Sequence, residues 1–272
     1  MTNPVFNNSP VFGDPRGKGR GGPATTQAPA WGTATTDAAT LEQMYDAPTA
    51  TTRETGRLTY DDVIVKTGGL LALLVVVGAA TWVVAPQLWI VGMLVGLVLG
   101  LVNAFKKNPS PVLITLYAAA EGVFLGGISA IYETMWNGIV PQAVLATLSV
   151  FAVSLFLFRS GKVRVTPKFR RTLLIAIAGY ALYSLVNLGL MLFGVGGGDF
   201  GPLRSGPLGI AVGLIAVGLA AMSLIMDFDS IKRGVEAGVP AKFAWAAAFG
   251  LIVTLVWLYL EFLRLLAILR GD

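Results

Sequence analysis

The stretch GGLLALLVVVGAATWVVAP (Gly68–Pro86) runs 19 residues without one charged side chain. Coiled as a helix at 1.5 Å per residue, it covers about the 30 Å of a bilayer's hydrocarbon core. Six further runs of comparable length follow it, and spans are expected near residues 68–86, 88–105, 111–132, 138–158, 172–194, 207–230 and 242–266. Only Pro86-Gln87 separates the first two, which requires a tight turn there. Helices are the natural solution, because each one satisfies its own backbone in lipid and the alternation of a barrel strand is absent.

Composition agrees. Of 272 residues, 55% are hydrophobic and 13% charged, against roughly 25% charged in soluble domains. The fold class expected is therefore all-α: a polytopic membrane bundle of about seven transmembrane helices. The net charge of +5 does not point to nucleic acid, because the basic residues sit in short connections between apolar runs, where they set membrane orientation. The chain has no Cys and no His. Disulfides, thiol catalysis, Cys/His metal sites and His-assisted nucleophiles are excluded, no cofactor is implied, and the chain is not expected to be an enzyme.

The basic residues alternate along the chain. Lys106 and Lys107 occupy one connection; Arg159, Lys162, Arg164, Lys168, Arg170 and Arg171 the next but one; Lys232, Arg233 and Lys242 the next but one again. The intervening connections are almost free of them, with Arg204 alone between 195 and 206. By the positive-inside rule this places the N-terminus in the cytoplasm and, after an odd number of helices, the C-terminus outside. The alternation is itself an argument for seven spans, because a miscounted helix would scramble it.

Residues 1–58 are rich in Ala, Thr, Pro, Gly and Asn and lack apolar periodicity, the signature of a disordered, solvated cytoplasmic tail ahead of a transmembrane domain at 59–272. Residues 1–30 carry no apolar core, so the first span is expected to act as its own insertion signal. Pro4-Val5-Phe6 recurs as Pro10-Val11-Phe12, which reads first as part of an inert tail and second as a peptide that docks on a membrane-protein partner. Thr59 with Asp62 three residues on marks a helix start.

Small residues recur at four-residue spacing, at Gly92, Gly96 and Gly100 and again at Gly122 and Gly126, as expected of close helix packing. The acidic residues inside the spans carry the functional argument. A carboxylate at the bilayer centre costs roughly 2.5–3.5 kcal/mol or more, and persists where it faces a cavity, finds a partner or binds an ion. Glu121, Asp227, Asp229 and Glu261 are the candidates. Asp229 also reads as interfacial, and Glu261 as the i,i+3 partner of Arg264. Tyr183 and Asn187, one turn apart, are candidates for the same polar interior. Two carboxylates sharing a low-dielectric site hold a proton between them, or a hard cation such as calcium.

Four segments, in order, carry a resemblance: Tyr60–Gly68 before the first span, Glu121-Gly122-Val123-Phe124-Leu125-Gly126 in the third, Met226-Asp227-Phe228-Asp229-Ser230-Ile231-Lys232 ending the sixth, and Leu258-Tyr259-Leu260-Glu261-Phe262-Leu263 in the last. Over roughly residues 59–272 the chain resembles the Bax inhibitor-1/YccA (transmembrane Bax inhibitor motif) family, in its bacterial branch. That resemblance implies six helices around a central seventh, and a pH-sensitive calcium leak gated by acids on helices six and seven, here Asp227 and Glu261. Glu261 stands where Asp is usual, and the chain between the two acids is longer than the family's. If the last span begins at Ala241 and runs straight, Glu261 lies nearer the outer face and the two acids do not touch; a later start restores contact.

The expected function is a pH-sensitive cation (calcium) leak channel or transporter of the plasma membrane, embedded in the lipid bilayer, with Asp227, Glu261, Asp229 and Glu121 as ion-binding or gating residues and Asp227 with Glu261 as calcium ligands. The alternative is a regulatory or interaction protein that modulates a membrane protease or stress response through its tail. An intramembrane aspartyl protease fits poorly, because the second acid is Glu and no Gly-x-Gly-Asp context surrounds either.

Overall fold

The computed structural model describes residues 56–163, 165–196 and 200–271. The expectation of a solvated tail falls, as far as residue 55, outside the described residues. The remainder is a bundle of seven helices: α1 (Tyr60–Val84), α2 (Trp89–Phe105), α3 (Pro111–Met135), α4 (Ile139–Arg159), α5 (Pro167–Leu192), α6 (Gly206–Glu236) and α7 (Ala244–Gly271). Each is long and apolar enough to cross a bilayer, α2 together with the 3₁₀ turn at Pro86–Leu88 that precedes it. No strand is present among the described residues, only an isolated bridge between Arg57 and Pro240.

The helix ends follow from local chemistry. Asp62 N–H donates to Thr59 Oγ1 at 3.1 Å and Thr59 N–H to Asp62 Oδ2 at 3.2 Å, a closed capping box. It starts α1 at Tyr60, about two turns before the apolar stretch. A 3₁₀ turn at Pro86–Leu88 makes the tight connection to α2. Proline opens α3 and α5, where its missing N–H is no loss. The Glu133 carboxylate accepts Gly138 N–H at 2.5 Å and Val140 N–H at 3.1 Å, so an acid at the end of α3 satisfies free donors at the start of α4.

Association in lipid relies on close packing, since the tails are as apolar as the side chains. The glycines supply it in two directions. A Cβ on Gly126 would overlap the backbone of Gly78, and one on Gly122 would sit 2.8 Å from Leu74 O, so this pair presses α3 against α1. Gly92 approaches Phe124 N, its own Cβ position 2.5 Å away, so the α2 glycines press α2 against the other side of α3. The last helix is central: 72% of its most apolar window is buried, against 11% for α2 and α5, and it packs on α1, α3, α4 and α6. Ile252, Leu258 and Leu263 of α7 are almost fully enclosed.

The basic connections gather at one end. Lys242 Nζ donates to Asn108 Oδ1 at 3.2 Å, and Leu58 N–H to Val239 O at 2.7 Å. At the opposite end Arg270 Nη1 donates to Asn137 O at 2.8 Å. The alternation read in the sequence is thus a division of the molecule into a basic end and an opposite end.

Candidate functional site

Two of the four acids lie along α7: Asp227 of α6 meets it at Thr254, in the α6–α7 seam, and Glu261 on α7 itself faces α5 and the α5–α6 connection. Asp227 lies on α6 towards the basic end. Thr254 of α7 donates its hydroxyl to Asp227 Oδ2 at 2.8 Å, or alternatively to Gly250 O at 3.1 Å. No ion pair to Asp227 is present among the described residues. The carboxylate borders a cavity of about 350 Å³ that Leu58, Ser230, Val239, Phe243, Ala247 and Gly250 also line. The small residues of α7 leave this space, and the residues at its mouth belong to the connections of the basic end. One turn deeper on α6, Ser223 is buried and its hydroxyl makes no hydrogen bond among the described residues.

Glu261 has the opposite environment. Arg204 Nη2 donates to its Oε1 at 3.0 Å, Tyr180 OH donates to the same oxygen, and Arg264 Nη2 donates to Oε2. Trp257 Nε1 approaches Oε1 at 3.4 Å. The Arg204 guanidinium lies 5.1 Å from the Tyr180 ring centroid, and that ring packs on Trp257 at 5.6 Å. Two guanidiniums meet one carboxylate, so the cluster carries one positive charge in excess. Burial lowers the Arg204 pKa to about 10, with Arg264 pushing the same way and Glu261 opposing; at neutral pH it stays charged.

Arg204 reaches into the bundle because its loop is tied down. Asn187 Nδ2 donates to Phe200 O at 2.9 Å, Leu203 N–H donates to Asn187 Oδ1 at 3.0 Å, and Tyr183 OH donates to Leu203 O. Tyr183 and Asn187, expected from the sequence to line a polar interior, instead fasten the 200–204 segment over it.

The structure does not bring Asp227 and Glu261 together. Thr254, the partner of Asp227, precedes Glu261 by about two turns, roughly 10 Å of helix rise, and Glu261 is already held by two arginines. Between the two acids α6 runs on to Glu236, and α7 begins, after a 3₁₀ turn at Ala241–Phe243, at Ala244. A calcium site shared by the two acids is therefore not formed. No group of three or more Asp or Glu side chains is placed to hold a metal among the described residues, whereas calcium takes six to eight oxygens.

The other two candidates lie elsewhere. Glu121 is buried between α3 and α2; a Cβ on Gly96 would meet its Oε1 at 2.9 Å, and its Oε2 makes no hydrogen bond among the described residues. Asp229 pairs with Arg233 and lies 3.8 Å from Arg170 at the basic end, the interfacial ion pair that its position suggested. Sequence reasoning missed Thr254, Tyr180 and the role of Arg204. Arg204 alone had left a signal, as the one basic residue in a connection that the alternation leaves otherwise empty of them.

Compared with known proteins, a family model described as Bax inhibitor 1 like matches residues 3–271. No curated protein matches the chain.

Proposed function

The chain belongs to the Bax inhibitor 1 like family of membrane proteins, and from that premise we propose that it is a pH-sensitive cation leak of the plasma membrane, with calcium as its ion. The basic end faces the cytoplasm, so the N-terminus is inside and the C-terminus outside. One observation carries this reading: Asp227 is a carboxylate within a membrane span, beside a cavity, with a hydroxyl as partner and no counter-charge among the described residues. An acid that the fold neither neutralises nor expels is where a cation would be drawn.

A cation coming from the basic end meets the Asp227 carboxylate, the Thr254 hydroxyl and the Gly250 carbonyl, oxygens that replace part of its hydration shell. Ser223 offers the next oxygen along the seam. Beyond it the Arg204–Glu261–Arg264 cluster presents net positive charge and closes the way. Conduction requires the 200–204 loop to carry Arg204 outwards, leaving Glu261 and Arg264 as a neutral pair. Protonation of Asp227 removes the negative charge that attracts the ion, so flux falls as pH falls.

The test is calcium uptake by proteoliposomes loaded with a calcium dye, across about pH 6–8. Wild type conducts above protein-free vesicles and less at the acid end. Asp227→Asn conducts weakly and loses the pH response. A wild-type flux equal to that of empty vesicles, or an unchanged pH profile in Asp227→Asn, overturns the reading.

A further inference from the structure

Where α5 begins and α6 ends, three arginines from two helices surround a cavity of about 430 Å³. Arg170 and Arg171 come from the first turns of α5 and Arg233 from the last turns of α6. Thr166 and Pro167 line it at the start of α5, and Leu174 and Ile175 line it about two turns further along that helix. Membrane orientation accounts for basic residues in this connection. It does not account for an arginine of a different helix converging with them on a cavity that Leu174 and Ile175 also line.

The charges do not balance. Asp229 is the acid paired here: it contacts Arg233 and lies 3.8 Å from Arg170. Arg171 makes no ion pair among the described residues, and Arg170 Nη2 is buried without a hydrogen bond there. Three guanidiniums against one carboxylate leave two positive charges in excess. Depth matters as well. Leu174 and Ile175 follow Pro167 by about two turns, roughly 10–12 Å of rise, and their side chains are half exposed or more. The arginines therefore stand at headgroup level, and Leu174 and Ile175 lie where acyl chains begin.

We propose that this cavity is a binding site for an anionic phospholipid. The guanidinium forks take the phosphodiester oxygens, whose geometry they match, and the first methylenes of a chain lie on Leu174 and Ile175. A zwitterionic lipid brings an ammonium group towards the same excess positive charge and gains less. Basic pockets between transmembrane helices take acidic head groups by this logic. The site stands apart from the α6–α7 seam, and the proposal does not depend on cation flux.

The experiment is native mass spectrometry of the full chain in mild detergent, titrated with phosphatidylglycerol and phosphatidylcholine of matched chains. Wild type retains phosphatidylglycerol in preference. Arg171→Gln, which breaks no ion pair and so spares the fold, weakens phosphatidylglycerol binding about fivefold and leaves phosphatidylcholine unchanged. Arg170→Gln combined with Arg171→Gln and Arg233→Gln abolishes the preference. Equal retention of the two lipids by wild type, an Arg171→Gln variant as selective as wild type, or displacement of the lipid by glycerol phosphate alone at equal concentration overturns the proposal.

Discussion

Replacing Arg204 by Gln removes one of the two guanidiniums that hold Glu261 and leaves that cluster neutral. A cation resting at Asp227 and Thr254 is about two helical turns, roughly 10 Å, from it. At an effective dielectric of about 20, one unit of positive charge at about 10 Å opposes a divalent ion by about 3.3 kcal/mol and a monovalent ion by about 1.7 kcal/mol. If that repulsion is the barrier, its removal speeds calcium about 250-fold and sodium about 15-fold, at 1.36 kcal/mol per decade. Water in the seam shrinks both factors, but the logarithm for the divalent ion stays twice that for the monovalent. The assay is parallel calcium and sodium uptake in dye-loaded proteoliposomes, with Arg204→Lys as the charge-retaining control and thermal melting in detergent to confirm the fold. Equal acceleration of the two ions, or flux no greater than wild type in a variant that melts normally, refutes the reasoning.

The remaining expectations test the packing and the loop. Gly126→Ala forces a methyl into the Gly78 backbone; overpacking of this kind costs about 1–3 kcal/mol, so the variant melts at lower temperature, whereas Gly68→Ala, whose methyl meets nothing within 4 Å, does not. Asn187→Ala removes both hydrogen bonds that fasten Phe200 and Leu203, about 1 kcal/mol each; flux should rise to between wild type and Arg204→Gln, with the divalent ion again favoured.

The seven spans were legible because bilayer thickness fixes how long an apolar run must be, and because the basic connections alternate. The helix ends were less legible where polar turns extend a helix beyond the hydrocarbon. The α1 capping box at Thr59 carries that helix about two turns past the apolar run, and α6 continues to Glu236 through Asp229, Lys232 and Arg233. In the site, Asp227 and Glu261 stood out as charges among apolar neighbours, but their partners did not. Which residue of α7 faces Asp227 depends on where the 3₁₀ turn at Ala241–Phe243 hands over to the helix, and one turn of slip is about 5.4 Å. That decision, hidden in a short connection, separates a proton-sharing acid pair from two independent stations.

The four intramembrane acids illustrate how net charge, rather than the acid itself, decides what a buried carboxylate does. Asp229 lies beside Arg233 and Arg170 and leaves positive charge at the interface. Glu261 is outnumbered by Arg204 and Arg264, so its surroundings repel cations despite the carboxylate at their centre. Glu121 is enclosed where α3 meets the glycine face of α2, its Oε1 set against Gly96. Asp227 alone combines a cavity, hydroxyl and carbonyl oxygens and the absence of a cationic partner among the described residues. Under the proposed function, a cation path takes its attraction from Asp227 and its barrier from Arg204, so selectivity and closure fall to two separate clusters along α7.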